Sequence, residues 1–235
     1  MKYIKLCLFV MMGIFILGCS NSSTKTSTSE DTPVVIEEPT VPEVTVTRVS
    51  CVGDSITAGT GISNPQKDSY PSQLAVMLGE HWEVKNFGVK SATLMKGGSL
   101  PYWNTSKYNP SHTFASNIVV IMLGTNDVKP HNWADHGKFV LDYTALIESY
   151  KNLSTQPTVY LCYPPPVYGE VAGITNKRVK NELIPLIQKV ATANGVKIIN
   201  IYSALNNKKA LFPDKVHPNI DGARILAQTV AKAIR

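Results

Sequence analysis

The sequence predicts an α/β fold, a parallel sheet covered by helices on both faces, and three observations lead there. Short β-branched runs recur through the C-terminal four-fifths of the chain, and each stops abruptly at glycine or polar turn residues. Between successive runs lie segments whose apolar residues follow the 3.6-residue period of a helix with one buried face. One run, Asn117-Ile-Val-Val-Ile-Met-Leu123, is apolar almost without a break, as a strand must be when both its faces are covered. Regular alternation of strand and helix then requires crossover connections, and these make the sheet parallel.

At the start of the chain, Lys2 and Lys5 precede the apolar run Leu6 to Leu17 and the small residues around Gly18-Cys19-Ser20, the layout of a secretory signal over residues 1–18. Its apolar core is too short to make a comfortable membrane span. Cys19 directly after Ile16-Leu17-Gly18 resembles the lipobox of bacterial lipoproteins. That resemblance implies lipidation of Cys19 and an extracytoplasmic, membrane-anchored location; an ordinary secretory signal with a chance cysteine is the alternative. Residues 19–47 are mostly Ser, Thr, Pro, Glu and Val with hardly an aromatic, too little apolar surface to offset their ordering entropy, and are expected to be a flexible tether. Residues 48–235 have the size of one globular domain.

Within that domain the first strand is Val49 to Val52, ending in Gly53-Asp54-Ser55. Ser69 and Pro71 open a helix through Leu78 that Gly79 closes, and Trp82 to Gly88 alternates as a second strand. Residues 96–116 lack a clean period and carry Gly97, Gly98, Pro101 and Pro110, so a long loop with at most a short helix is expected. The central strand 117–123 follows, then a helix from Phe139 to Leu153, a fourth strand Thr158 to Cys162, and a helix from Thr175 to Asn194 interrupted at Pro185. Val196 to Ile201 reads as the fifth strand and Asp221 to Ile234 as the last helix.

The composition excludes several functions. A net charge of +6, two of it in the signal, comes without a Lys/Arg run or a basic aromatic stripe, so nucleic acid is not an expected partner. Of four cysteines, Cys7 falls in the signal and Cys19 at the lipobox; Cys51 and Cys162 sit inside predicted strands and read as small buried hydrophobes. The histidines lack metal-ligand spacing, so neither metal nor cofactor is expected.

Chemistry-bearing residues cluster at strand ends. Ser55 follows the first strand, Gly88 the second and Asn126 the third, and Asp214 stands three residues before His217 in a proline-pinned loop ahead of the last helix. Asp54-Ser55 alone is read equally well as a helix cap. Taken together, Gly53-Asp54-Ser55, Asn86-Phe87-Gly88, Gly124-Thr125-Asn126-Asp127 and Asp214-Lys215-Val216-His217 resemble, in order and spacing, the four blocks of the SGNH (GDSL) hydrolases. The resemblance implies a three-layer flavodoxin-like fold with a five-stranded parallel sheet. It implies Ser55 as nucleophile, His217 as base, Asp214 as its orienting acid, and Ser55, Gly88 and Asn126 as oxyanion donors. The second block departs from the pattern at Ser91, where many members have a further glycine.

The chemistry needs these same parts. A serine hydroxyl becomes a nucleophile when an adjacent imidazole takes its proton, an acid on the other ring nitrogen fixes the tautomer, and fixed N–H donors receive the oxyanion. Asp54 and Asp127 are read as turn residues that bind neighbouring backbone N–H groups. Tyr102, Trp103, Trp133 and Tyr163, with His131 and Tyr168, are candidates for a substrate rim, against the plainer reading that they anchor loops. The expected function is a serine esterase that cleaves short acyl esters, acetyl groups on carbohydrate above all. A lysophospholipase or thioesterase, a non-catalytic glycan-binding lipoprotein and a metal-dependent hydrolase are the alternatives.

Overall fold

The computed structural model describes residues 45–235; the signal segment, Cys19 and all of the tether before residue 45 lie outside the described residues. Strands β1 (Thr47–Gly53), β2 (Trp82–Gly88), β3 (Ile118–Met122), β4 (Thr158–Tyr163) and β7 (Lys197–Asn200) form one parallel sheet in the order β2-β1-β3-β4-β7. The order places the unbroken apolar run at the centre, and Val119, Val120 and Ile121 are fully buried. Side chains alternate between two cores. Val52, Val119, Ile121, Val159 and Leu161 face one, and Val49, Cys51, Val120, Met122, Tyr160 and Cys162 face the other.

The first helices are short: α1 (Ser55–Ala58) and α2 (Pro65–Asp68) precede α3 (Tyr70–Leu78), and α4 (Tyr108–Thr113) and α5 (Pro130–Trp133) lie in the long connections on either side of β3. α6 (Phe139–Lys151) packs Phe139, Tyr143, Leu146, Ile147 and Tyr150 onto the first core. Beyond α7 (Asn176–Arg178), capped by the Thr175 hydroxyl, one π-helical turn (Val179–Leu183) leads into α8 (Ile184–Asn194), so the expected interruption at Pro185 takes the form of a bulge just before the proline. α10 (Ile220–Ile234) and α3 cover the other face through Leu74, Leu226, Val230 and their neighbours.

Two expectations need correction. The fifth strand ends at Asn200 rather than Ile201, because the Asn200 side chain accepts the Ser203 N–H (2.9 Å) and starts the short helix α9 (Ile201–Leu205). A two-stranded antiparallel ribbon, β5 (Glu170–Val171) and β6 (Ile174–Thr175), occupies what reads as loop; its turn uses positive φ at Ala172 (49°) and Gly173 (76°). Cys51 and Cys162 are free and buried on β1 and β4, with β3 between them.

Candidate active site

The site lies at the carboxyl edge of the sheet, where an open α/β fold leaves a crevice. β1 delivers Ser55 through a turn that only glycine permits: a Cβ on Gly53 would sit 2.1 Å from Thr57 Oγ1 and 2.7 Å from the Met122 carbonyl oxygen. Asp54 Oδ1 accepts the Ile56 N–H (2.9 Å) and caps α1, so the capping role falls to Asp54 and the Ser55 hydroxyl is not spent on it. Ser55 becomes the first residue of α1, 7 % exposed, with its Oγ 2.9 Å from His217 Nε2.

His217 is held by its own loop. Asp214 Oδ1 accepts the backbone N–H groups of Val216 (3.0 Å) and His217 (2.7 Å), which leaves Oδ2 facing His217 Nδ1 at 2.5 Å. The loop is closed by Lys215 N–H to Phe212 O (3.0 Å) and Asn219 N–H to Leu211 O (2.8 Å). Partial burial works to raise the Asp214 carboxyl, but the hydrogen bonds from His217 and Val216 outweigh it and hold the group below its ordinary range. An ionised Asp214 accepts the hydrogen bond of His217 Nδ1–H and so fixes the tautomer, leaving Nε2 to accept from the serine hydroxyl.

Asn126 follows β3 through Gly124, whose φ of 119° suits glycine. Its Nδ2 donates to Ala92 O (3.1 Å), and its backbone carbonyl accepts Asn132 Nδ2 (2.9 Å). Asp127 accepts Leu94 N–H (2.9 Å) and Met95 N–H (2.8 Å), so it stitches the loop after β3 to the loop after β2 instead of stiffening its own turn as the sequence suggests. Burial raises both acids behind Ser55: Asp54 to about 6, opposed by the Ile56 N–H and the nearby His217, and Asp127 to about 7, opposed by its two N–H donors.

Gly88 is not placed as expected. Its N–H donates to Asn86 Oδ1 (2.9 Å), and a Cβ there would lie 2.2 Å from Ala58 N, so the glycine serves the close packing of α1 on β2. The cavity that holds Ser55, Asn126 and His217 is lined by Ser91 instead. Ser91 has φ of 65°, and its N–H makes no hydrogen bond within the described residues. The signal was its place in the second block, where a glycine is usual because the turn is left-handed.

The aromatic rim is also corrected. Tyr102 is fully buried and donates its hydroxyl to Phe87 O (2.9 Å); Trp133 is 6 % exposed and donates Nε1 to Glu182 Oε2 (2.6 Å). Trp103 donates Nε1 to Leu94 O (3.0 Å), and the Tyr163 hydroxyl donates to Gln188 Oε1. Each ring packs against the core and each polar end finds a protein partner, so these side chains anchor loops, and none of the four lines the cavity. The cavity of about 110 Å³ is walled by Val171, Ala172 and Ile174 of the ribbon, with Lys90 and Lys129 at its sides. Among the described residues no group of three His, Cys, Asp or Glu side chains is placed to hold a metal.

A crevice at the carboxyl edge of a five-stranded parallel sheet, with serine, histidine and aspartate in hydrogen-bonded series, is the layout of an α/β acylhydrolase. The chain belongs to the GDSL-like Lipase/Acylhydrolase family, whose model matches residues 51–225. It is 35% identical over 212 aligned residues to an acetylxylan esterase of Xylanibacter ruminicola, a match that covers 83% of this chain and 44% of that protein. The chain therefore spans under half the length of that relative. In fold it is similar to the M. smegmatis aryl esterase (TM-score 0.66, 22% identity, covering 81% of this chain and 99% of that one). It is equally similar to a carbohydrate acetylesterase from Sinorhizobium meliloti (TM-score 0.66, 20% identity, 80% and 98% covered).

Proposed function

We propose that the protein is a serine esterase that removes acetyl groups from carbohydrate. The observation that carries this reading is the unbroken series Asp214–His217–Ser55 opening onto a cavity of about 110 Å³. Ser55 Oγ attacks the acyl carbonyl as its proton passes to His217 Nε2, and Asp214 stabilises the imidazolium that forms. The oxyanion is received by the backbone N–H groups of Ser55 and Ser91 and by the Asn126 amide, with Ser91 in the place expected of Gly88. Collapse expels the sugar hydroxyl, protonated by His217, and leaves acetyl-Ser55. A water deprotonated by His217 then releases acetate, and the serine recovers its proton.

The cavity supports a short acyl group. Sites for drug-sized ligands measure about 300–1,000 Å³, and a long acyl tail needs apolar cover worth about 0.8 kcal/mol for each methylene. A volume of about 110 Å³ gives a long tail no such room. The acetylxylan esterase of X. ruminicola favours carbohydrate as the alcohol side. The test is a panel of esters of graded acyl length with wild type and Ser55→Ala. The expected result is highest kcat/KM on acetyl, a fall with each added methylene, and no turnover by Ser55→Ala. Faster octanoyl than acetyl hydrolysis overturns the reading in favour of a lysophospholipase.

We infer from Lys2, Lys5, the Leu6–Leu17 run and Cys19 that a lipid on Cys19 holds the domain at an extracytoplasmic membrane face. Labelled palmitate incorporated by wild type and absent from Cys19→Ala is the expected outcome; equal labelling of both contradicts it.

A further inference from the structure

Two lysines stand at the cavity that holds Ser55, Asn126 and His217, and the chemistry above uses neither. Lys90 sits in the turn closed by Val89 N–H to Gly53 O (3.0 Å) and Ala92 N–H to Val89 O (3.1 Å), one residue before Ser91. Lys129 sits three residues after Asn126, its carbonyl accepting the N–H groups of Asn132 (3.0 Å) and Trp133 (2.9 Å). Both backbones are thus fixed to the segments that carry the oxyanion donors. The Lys90 side chain is exposed and Lys129 is partly so. Neither ammonium makes an ion pair or hydrogen bond within the described residues, although Lys85 and Lys138 do elsewhere on the surface.

The residues lining the cavity include no aspartate or glutamate. The carboxylates nearby are otherwise engaged. Asp214 is taken up by His217 and Val216, Asp127 by Leu94 and Met95, and Asp54 lies fully buried behind Ser55 with one oxygen on Ile56. Glu170, on β5 of the ribbon, is not part of the lining. A lone surface lysine is ordinarily a solvated charge. Two on one small cavity with no carboxylate in its wall make a cleft of single sign, which concentrates anions and strengthens their capture at low salt.

We propose that Lys90 and Lys129 select esters whose alcohol part carries a carboxylate, that is, acetyl groups on sugars that are uronates or neighbour them in a glycan, over the esters of neutral sugars. This rests on the carbohydrate acetylesterase reading above. The acetyl group enters the small cavity, the sugar remains outside it, and the flexible four-carbon stems let both ammonium groups reach a carboxylate there. The same positive charges favour the oxyanion of any ester, and Lys129 also acts on buried Asp54. Both effects apply equally to charged and neutral substrates, so the ratio of the two rates isolates the selection.

The experiment compares kcat/KM for monoacetylated glucuronic acid and monoacetylated glucose by acetate release, with the full chain. Two exposed ion pairs together are worth roughly two- to thirtyfold, so wild type should favour the acid by about tenfold in about 20 mM salt. The preference should shrink toward parity in about 0.5 M salt, where screening shortens the reach of charge to a few ångströms. The double variant Lys90→Gln/Lys129→Gln should bring the ratio to about one at low salt. Parity or a neutral preference in wild type, or a preference that survives in the double variant, overturns the inference. Hydrolysis of acetylglucose without preference overturns it alone, whereas a wild type that cleaves a chromogenic acetate but neither sugar overturns the carbohydrate reading as well.

Discussion

Replacing Asn126 by alanine removes two things whose magnitudes differ enough to be told apart. Asn126 is 5 % exposed, and its Nδ2 donates to Ala92 O at 3.1 Å, which leaves the second amide hydrogen for the cavity it lines. Losing one oxyanion donor costs about 3–4 kcal/mol in the transition state, a 10²- to 10³-fold fall in kcat. Losing the bond to Ala92 costs about 1 kcal/mol of stability, a shift in Tm of roughly 2–4 °C for a domain of this size. The expected signature is therefore a large fall in kcat, a KM within about twofold of wild type, and a modest loss in Tm. Asn126→Asp provides the control, because it keeps the shape but turns an acceptor toward the oxyanion, so its kcat should fall below that of Asn126→Ala. Initial rates on a short acetyl ester with parallel thermal melts decide it. A kcat within a few-fold of wild type, or an aspartate variant faster than the alanine variant, refutes the oxyanion role.

Gly88→Ala should lower stability by roughly 1–3 kcal/mol through the 2.2 Å approach of its Cβ to Ala58 N, seen as a lower denaturation midpoint. At Ser91, with φ of 65°, kcat should be at least about tenfold higher in Ser91→Gly than in Ser91→Val, since a β-branched residue resists the left-handed region and displaces the N–H donor; equal rates would contradict the placement of that donor. His217→Ala should lose roughly 10³-fold or more in kcat, and Ser55→Ala/His217→Ala should be little worse, whereas additive losses argue against a shared proton transfer. Asp54 and Asp127, raised to about 6 and about 7, bind more protons folded than unfolded, so the stability this gives is fully present below about pH 4 and is lost as pH rises through those values. Asp214, held below its ordinary range, works with the opposite sign and loses its contribution only as pH falls into the acid range. Urea midpoints should accordingly decline between about pH 4 and pH 7, with a shallower decline in Asp54→Asn; a flat wild-type profile contradicts the raised acids.

What could be read in the sequence was whatever is written in local periods. The unbroken apolar run 117–123 marks the centre of the sheet because a strand covered on both faces has no polar positions, and it is indeed flanked by β1 and β4. The segments Ser55, Asn126 and Asp214-Lys215-Val216-His217 come to one crevice because each sits where a parallel strand ends or the last helix begins. The direction of an aromatic ring is not written locally. Trp133 is drawn inward by Glu182, 49 residues away, and Tyr102 by the Phe87 carbonyl, 15 residues away, so loop composition around them gave the wrong rim. The ribbon's strands are two residues each, too short for any period to show. Ser91 was hidden because a serine in a left-handed turn carries no propensity signal, only its position in the second block.

The ribbon is tied to the turn that carries Asn126, and this predicts how acyl size should affect turnover. Its tip rests on α5: a Cβ on Gly173 would lie 2.4 Å from Pro130 Cδ, which shows how closely the backbone approaches that ring. Arg178 Nη1 donates to Val128 O (2.7 Å) and ties the base of α7 to the same segment. Val128 and Pro130 lie just beyond Asn126, and the Asn132 side chain binds the Asn126 carbonyl (2.9 Å). The wall that limits the cavity is thus fastened to the turn that presents the Asn126 amide. An acyl group too long for the cavity must push Val171 and Ile174 outward, and the displacement is passed to Asn126 through Gly173, Pro130 and Arg178. In the graded ester panel, longer acyl groups should therefore lose kcat and not only gain KM, because the misfit disturbs the oxyanion donor as well as ground-state binding. A series in which KM alone rises would mean that the ribbon yields independently of the Asn126 turn.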